Sequence, residues 1–250
     1  MTRRICLNAD IGELPGEAGR ALDRAILRVV SRCSIACGGH AGDAASMAQT
    51  LEMAQEFGVL AGAHPSYPDR AGFGRSRNNM SGAELAVSLK DQVSELQRIA
   101  AATGAQVRHI KPHGALYNDA AKDEGLAGMV AALCVETGIP ALLGPPASEM
   151  ERAARTGGLT YIAEGFADRA YEADLSLTPR NLPGAVFHDP ETQRAQALSI
   201  ALRHEVTTRT GETIPLHVQT LCLHGDTPGA AENAALLRAA LEAQGIAICP

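Results

Sequence analysis

Residues able to move protons or hold charge recur in this sequence directly after short apolar runs. Asp10 and Glu13 follow the run at 5–9, and Gly38-Gly39-His40-Ala41-Gly42-Asp43 follows 34–37. His64-Pro65-Ser66-Tyr67-Pro68-Asp69-Arg70 follows 59–63, and Lys111-Pro112-His113-Gly114 follows 107–110. Glu164 and then Asp168-Arg169 follow 160–163, and His224-Gly225-Asp226 follows 220–223. Four of the eight histidines thus stand at the exits of separate runs. Imidazole titrates near neutrality and serves as general acid or base, a carboxylate can share that work, and an ammonium stabilises charge developing on oxygen. Asp and His are also ordinary ligands of zinc and related ions, so the pattern reads as a converging site with the presence of a metal left open. Lys111 and His113 are two residues apart, so a strand continuing through Lys111 aims both side chains the same way. Asp69 and Arg70 fit a loop salt bridge as well as substrate binding.

Such a set converges only if the runs are parallel strands whose carboxyl ends share one face. Seven strands are expected at 5–9, 34–37, 59–63, 107–110, 141–143, 160–163 and 220–223, with a candidate eighth at 246–249. Between them, 20–30, 45–57, 82–102, 123–137, 148–156, 191–204 and 230–243 have helix-forming composition and mixed faces. This alternation is the signature of βα units around a mainly parallel sheet. Gly58, Gly104, Gly138, Gly157 and Gly245 fall where a left-handed helix cap favours glycine, and Ser81 with Glu84 reads as a capping box. The long irregular stretch 166–190 has the length of a functional or mobile loop. No Gly-, Ser- or Pro-rich run divides the chain, so one domain over residues 1–250 is expected.

Composition narrows the function classes. Of 250 residues, 46% are hydrophobic and 20% charged, which suits a globular protein and not a disordered one. Lys and Arg total 22 against 28 acidic residues, a net charge of −6, without the basic excess that nucleic acid requires. Aromatic residues make up 3%, and Tyr67, Phe73, Tyr117, Phe166 and Tyr171 all fall in the expected site loops, where they should line a pocket. The six cysteines form no C-x-x-C pair and read as reduced, mostly buried thiols. Asn8 and Asp10 interrupt the N-terminus before a signal-length apolar stretch develops, and no run approaches the roughly 18 residues of a membrane span. A cytoplasmic chain with no membrane partner is expected. The glycine-rich segments lack both the Lys-Ser/Thr ending of a P-loop and a dinucleotide fingerprint.

At these residues the chain resembles the LamB/YcsF family. The matching segments are Leu7-Asn8-Ala9-Asp10-Ile11-Gly12-Glu13, Ile35-Ala36-Cys37-Gly38-Gly39-His40-Ala41-Gly42-Asp43 and Gly62-Ala63-His64-Pro65-Ser66-Tyr67-Pro68-Asp69. Lys111-Pro112-His113-Gly114-Ala115-Leu116-Tyr117-Asn118, Glu164-Gly165-Phe166-Ala167-Asp168-Arg169-Ala170-Tyr171 and Leu223-His224-Gly225-Asp226 complete the series in family order. The resemblance implies a seven-stranded βα barrel, similar to the glycoside hydrolase/deacetylase superfamily. It also implies ATP-driven opening of 5-oxo-L-proline to L-glutamate in concert with separate B and C subunits. A five-membered lactam is a resonance-stabilised amide, and phosphorylating its oxygen makes it a good electrophile for water. With no ATP motif in this chain, ATP is expected as a co-substrate bound mainly by the partner subunits.

On that reading Asp10, or His64 beside it, is the general base, while Lys111 and His113 stabilise charge on the oxygen or the phosphoryl group. His224 and Asp226 hold and protonate the opposite face, and Asp43 orients His40. Asn8, Glu13, His40, Asp43, Tyr67, Asp69, Arg70, Tyr117, Asn118, Glu164, Asp168, Arg169 and His224 are expected to bind substrate. The chain departs from the family pattern at Gly39, where an aromatic ring is usual, and at Leu14, where glycine is usual. The first should loosen a pocket wall, and the second puts a strained φ in question in the first loop. Two rival readings remain at this stage. One is a metal-dependent amidohydrolase or carbohydrate deacetylase; the other is a noncatalytic binder of a small carboxylate using Arg70, Arg169 or Arg180 as a fork.

Overall fold

Short, apolar, parallel strands build the centre of the molecule, and helices cover them. The computed structural model describes residues 3–77, 79–223 and 229–250. In chain order the elements are β1 (Arg3–Ile11), α1 (Gly16–Leu27), β2 (Arg32–Ala36), α2 (Ala44–Glu56), β3 (Leu60–His64), α3 (Gly82–Thr103), α4 (Gly114–Lys122) and α5 (Glu124–Thr137). They continue with β4 (Ala141–Gly144), α6 (Glu149–Thr156), β5 (Thr160–Phe166), α7 (Pro190–Arg203), β6 (Glu205–Thr207), β7 (Thr213–Pro215), β8 (Thr220–Cys222), α8 (Ala230–Ala243) and β9 (Ile246–Ile248).

The parallel ladder runs β3-β2-β1-β8-β5-β4, with β9 added beside the start of β1. Its two outer strands meet through residues 108–111. Arg108 N and Lys111 N donate to Ala61 O and Ala63 O, and Ala63 N donates to His109 O. On the other side Ile110 N donates to Ala141 O, and Leu143 N donates to Ile110 O. This seam closes the seven-stranded barrel expected at the sequence level. It stays narrow because Pro112 has no N–H to extend the ladder. The small antiparallel pair β6–β7 lies outside the ring.

Three boundaries matter for the site. β1, β3 and β5 extend through Asp10, His64 and Glu164, so these side chains stand on strands and not on loops after them. The barrel interior is partly polar: His109 sits beside Arg32 Nη1 at 3.2 Å and Ser34 Oγ at 3.3 Å. Gly62 makes room for that ring, because a Cβ there would lie 2.2 Å from His109 Cε1. A single apolar cluster extends from Ile5 to Ile246.

The helix ends follow their chemistry. Ser81 and Glu84 form the expected capping box, and Gly104 and Gly138 close α3 and α5 in the left-handed conformation. At α6 that conformation falls on Gly158, φ 69°, and not on Gly157. Sequence pattern misses α4, whose buried face has only Leu116, Tyr117 and Ala120, and it misses the β6–β7 pair, which is rich in Thr. Leu14 causes no strain, since the positive φ values of the first loop belong to Gly12 and Gly16 on either side. All six cysteines are free, and all but Cys249 are buried. Among the described residues no helix is long and apolar enough to cross a membrane.

Candidate active site

A cleft of about 590 Å³ opens at the carboxyl ends of the strands. Asp10, Glu13, His64, Lys111 and His113 form its polar floor, and Phe73, Tyr117, Asn118, Phe166 and Arg169 contribute to its walls. Lys111 is 2% exposed, and its Nζ lies 3.0 Å from Asp10 Oδ1 and 2.8 Å from Glu164 Oε1. Cys222 Sγ is 3.3 Å away and the Phe166 ring centroid 5.6 Å. Burial works against the ammonium, but Asp10 foremost, with Glu164, outweighs it and raises the Lys111 pKa well above the usual amine range. Burial raises the Glu164 pKa despite Lys111, because Glu164 is the more enclosed of the two carboxylates that share one cation.

The imidazoles gather beside this triad. His64 Nε2 lies 3.4 Å from Asp10 Oδ2, and His113 Nδ1 lies 3.0 Å from His64 Nε2. Glu13 Oε1 reaches His40 Nε2 at 3.0 Å and His113 Nδ1 at 3.3 Å. Burial alone would raise the Glu13 pKa, but the His113 and His40 rings against it hold it well below the usual carboxylate range. Burial lowers the pKa of His64 strongly and that of His40 as well, so both rings favour the neutral form. The floor thus offers a fixed ammonium at Lys111, an ionised carboxylate at Glu13 and a neutral imidazole at His64, the parts required to hold water and stabilise an oxyanion.

Several residues expected at the site do other work. Asp43 is exposed and caps α2 through Ser46, so it does not orient His40; Glu13 does. Asp69 accepts the Gly72 N–H at 2.8 Å and shapes its own loop. Arg70 is no carboxylate fork: its Nη1 holds Gly38 O at 2.9 Å and Gly42 O at 2.8 Å, fixing the glycine-rich turn. Tyr67 is buried and donates to Asp119 Oδ2, and Tyr171 is buried and accepts the Phe166 N–H, so neither ring lines the cleft. Asn8 lies beneath the floor, where its side chain donates to Thr220 Oγ1 at 2.8 Å. Asp168 borders a separate hollow with Phe187 and Leu223. Arg169 faces the cleft, yet its guanidinium also ties Thr178 O and Ala185 O, and burial brings its pKa down to about 10. His224 and Asp226 lie outside the described residues.

Gly39 does not face the cleft. A Cβ there would lie 2.4 Å from Gln92 Oε1 and 2.5 Å from Ser66 Oγ, and the residue borders instead a separate open hollow with Pro68, Val87 and Gln92. Sequence reasoning missed Arg75, Lys122 and, apart from Arg180, the segment 176–181 as cleft wall. The length of the loop at 166–190 was the one available signal for the last of these.

Residues 5–250 match the description of the LamB/YcsF family. The chain belongs to the LamB/YcsF family. A protein from Chloroflexus aggregans, named for the A subunit of 5-oxoprolinase, is 48% identical over 245 residues, covering 98% of this chain and 97% of its own. A protein of the same name from Methylococcus capsulatus is 45% identical over 249 residues, covering 99% and 96%. The crystal structure of the lactam utilization protein from Thermus thermophilus superposes with a TM-score of 0.88 at 35% identity, covering 98% of this chain and 99% of that one. The fold is therefore shared along essentially the full length.

Proposed function

We infer that this chain is the A subunit of a 5-oxoprolinase, which opens 5-oxo-L-proline to L-glutamate with ATP and separate B and C subunits. The observation that carries this reading is the near-complete coverage, at 45% and 48% identity, of relatives bearing that name. The cleft geometry supports amide hydrolysis. With the lactam oxygen phosphorylated, a water held against His64 and His113 attacks the ring carbonyl carbon, and Asp10 takes the water's proton. Lys111 stabilises the negative charge of the phosphoryl group, at a cost already met by its two carboxylate neighbours. The addition places the carbon–nitrogen π electrons on the ring nitrogen, which takes the proton from Asp10; the carbon–nitrogen bond then breaks as the added hydroxyl passes its proton to the same nitrogen and becomes the acyl carbonyl, leaving the amino group. The resulting acyl phosphate loses phosphate to a second water, giving glutamate.

The cleft volume of about 590 Å³ lies within the usual range for small-ligand sites and leaves room beside a five-membered ring for a phosphoryl group. ATP is assigned to the complex, bound mainly by the partner subunits, because this chain carries no P-loop or dinucleotide motif. The test is glutamate formation from 5-oxo-L-proline and ATP by the purified chain with its B and C subunits. Turnover that needs all three is expected. Glutamate from this chain alone overturns the partner requirement, and none from the full set overturns the assignment.

A further inference from the structure

Two backbone carbonyls fix the tautomers of neighbouring histidines so that nitrogen lone pairs face each other. His64 Nδ1 lies 2.7 Å from Lys111 O, and His113 Nε2 lies 2.9 Å from Phe73 O. A carbonyl only accepts, so these nitrogens carry the hydrogens, and in the neutral rings the opposite nitrogens carry none. Those opposite nitrogens, His64 Nε2 and His113 Nδ1, are 3.0 Å apart. Glu13 Oε1 brings further lone pairs, 3.3 Å from His113 Nδ1 and 3.8 Å from His64 Nε2. Three electron-rich atoms in this arrangement repel one another unless a cation, a proton or a metal ion, stands between them. Phe73 adopts φ 54° to present its carbonyl, a conformation with a cost for a non-glycine residue.

The dimensions suit a metal ion. Donors of a tetrahedral ion with bonds of about 2.0–2.1 Å are spaced about 3.3 Å apart, and the three separations here bracket that value. The rings of His64 and His113 are inclined at 89°, so one point can lie in both ring planes. His40 belongs to the same cluster but is stacked on His113 at 1° and 3.6 Å. Parallel planes share no such point, so His40 holds Glu13 Oε1 from the side instead.

We propose that Glu13, His64 and His113 bind a divalent transition-metal ion of the zinc type, with a coordination position open to the cleft. Imidazole and carboxylate donors favour zinc and its neighbours over magnesium or calcium. Lys111 O, Phe73 O and His40 fix the orientation of the ligands, the usual task of groups behind a metal site. Asp10 Oδ2, 3.4 Å from His64 Nε2, stands beside the opening. An ion bound there supplies Lewis acidity to a water or carbonyl oxygen. This inference concerns the same cleft as the reaction assigned above but goes beyond it and stands without it.

The test uses the full chain, stripped with a chelator and then titrated separately with Zn²⁺ and Co²⁺, without substrate or partner subunits. One ion per chain is expected, with visible Co²⁺ bands of a four- or five-coordinate nitrogen and oxygen site and no thiolate charge-transfer band. Glu13→Gln combined with His113→Asn should abolish stoichiometric binding, while His40→Asn should keep it with affinity reduced about 10- to 100-fold. Absence of saturable binding to the wild-type chain overturns the proposal, as does unchanged binding by the double variant. The wild-type titration and spectrum need no variant to fold. Neither readout involves turnover, so failure here and failure of the glutamate assay are separate results.

Discussion

Replacing Lys111 by methionine removes the ammonium that Asp10 and Glu164 share, and the consequence can be worked from the distances. At an effective dielectric constant of about 20, separations of 3.0 and 2.8 Å correspond to gross attractions of about 5.5 and 6 kcal/mol. Desolvation of three buried groups offsets much of that, so the net worth of the triad is far smaller than the sum. Deleting the cation leaves the carboxylates buried without it, and this is expected to cost about 3–5 kcal/mol of folding stability. For a chain of this size that lowers Tm by about 6–20 °C. The loss should be larger at pH 8 than at pH 5, because protonating Glu164, whose pKa burial already raises, relieves the repulsion. Urea denaturation of Lys111→Met, Glu164→Gln and the double variant measures the coupling. The double variant should recover about 0.5–3 kcal/mol relative to additivity. A Lys111→Met loss below about 1 kcal/mol, or strict additivity, would show that the three groups do not share charge as described.

Asp10→Asn should lower turnover of the three-subunit enzyme by about 100- to 10,000-fold with the fold intact, and a near-normal kcat removes Asp10 as the base. Asp23 accepts the Gly12 N–H at 3.1 Å, and burial foremost raises its pKa from 3.8 to about 6. An acid with a raised folded pKa contributes stability below its unfolded pKa and loses it as pH climbs to the folded one. Wild-type stability should therefore fall by about 2 kcal/mol relative to Asp23→Asn between pH 4 and about 6, measured by denaturation across that window. Identical slopes for the two proteins would refute this. Gly39→Ala should destabilise by about 1–3 kcal/mol because its Cβ displaces the Gln92 side chain, which spans Ser66 N and Ser66 O. Adding Gln92→Ala should cost less than the sum of the two changes, and a calorimetric Tm series giving full additivity would exclude that contact.

The barrel was legible because its signals are local: apolar runs, glycine caps and a capping box each report on a few residues. The seam through residues 108–111 was also legible as an apolar run, although Pro112 leaves it too short for a regular strand. Less visible were elements whose reason to exist is tertiary. Helix α4 has a small apolar face, but it forms directly after His113 and places Tyr117 and Asn118 on the cleft. Tyr67 and Asp69 have the residue types of a site and the environment of a packed loop, and sequence alone does not reveal which neighbour a side chain meets.

Distance along the chain from the last paired residue explains much of the division between chemistry and support. Asp10, His64 and Glu164 are on strands, Lys111 immediately follows Ile110, and Glu13, His40 and His113 come within four residues of the ring. Asp43, Asp69 and Arg70 lie five to seven residues beyond β2 or β3. An extended chain advances about 3.3 Å per residue, so five residues carry a side chain some 16 Å from the strand end unless the loop turns back. In those outer positions polar groups meet loop backbone before they meet the barrel axis. Asp43 accordingly caps a helix, Asp69 closes a turn, and Arg70 ties two carbonyls. On the proposed mechanism Arg70 acts through His40, which lies within the glycine-rich turn that Arg70 holds at Gly38 O and Gly42 O. Arg70→Ala should therefore raise KM for 5-oxo-L-proline more than it lowers kcat in the assembled enzyme. A fall in kcat with KM unchanged would place Arg70 against the reacting atoms and contradict this division.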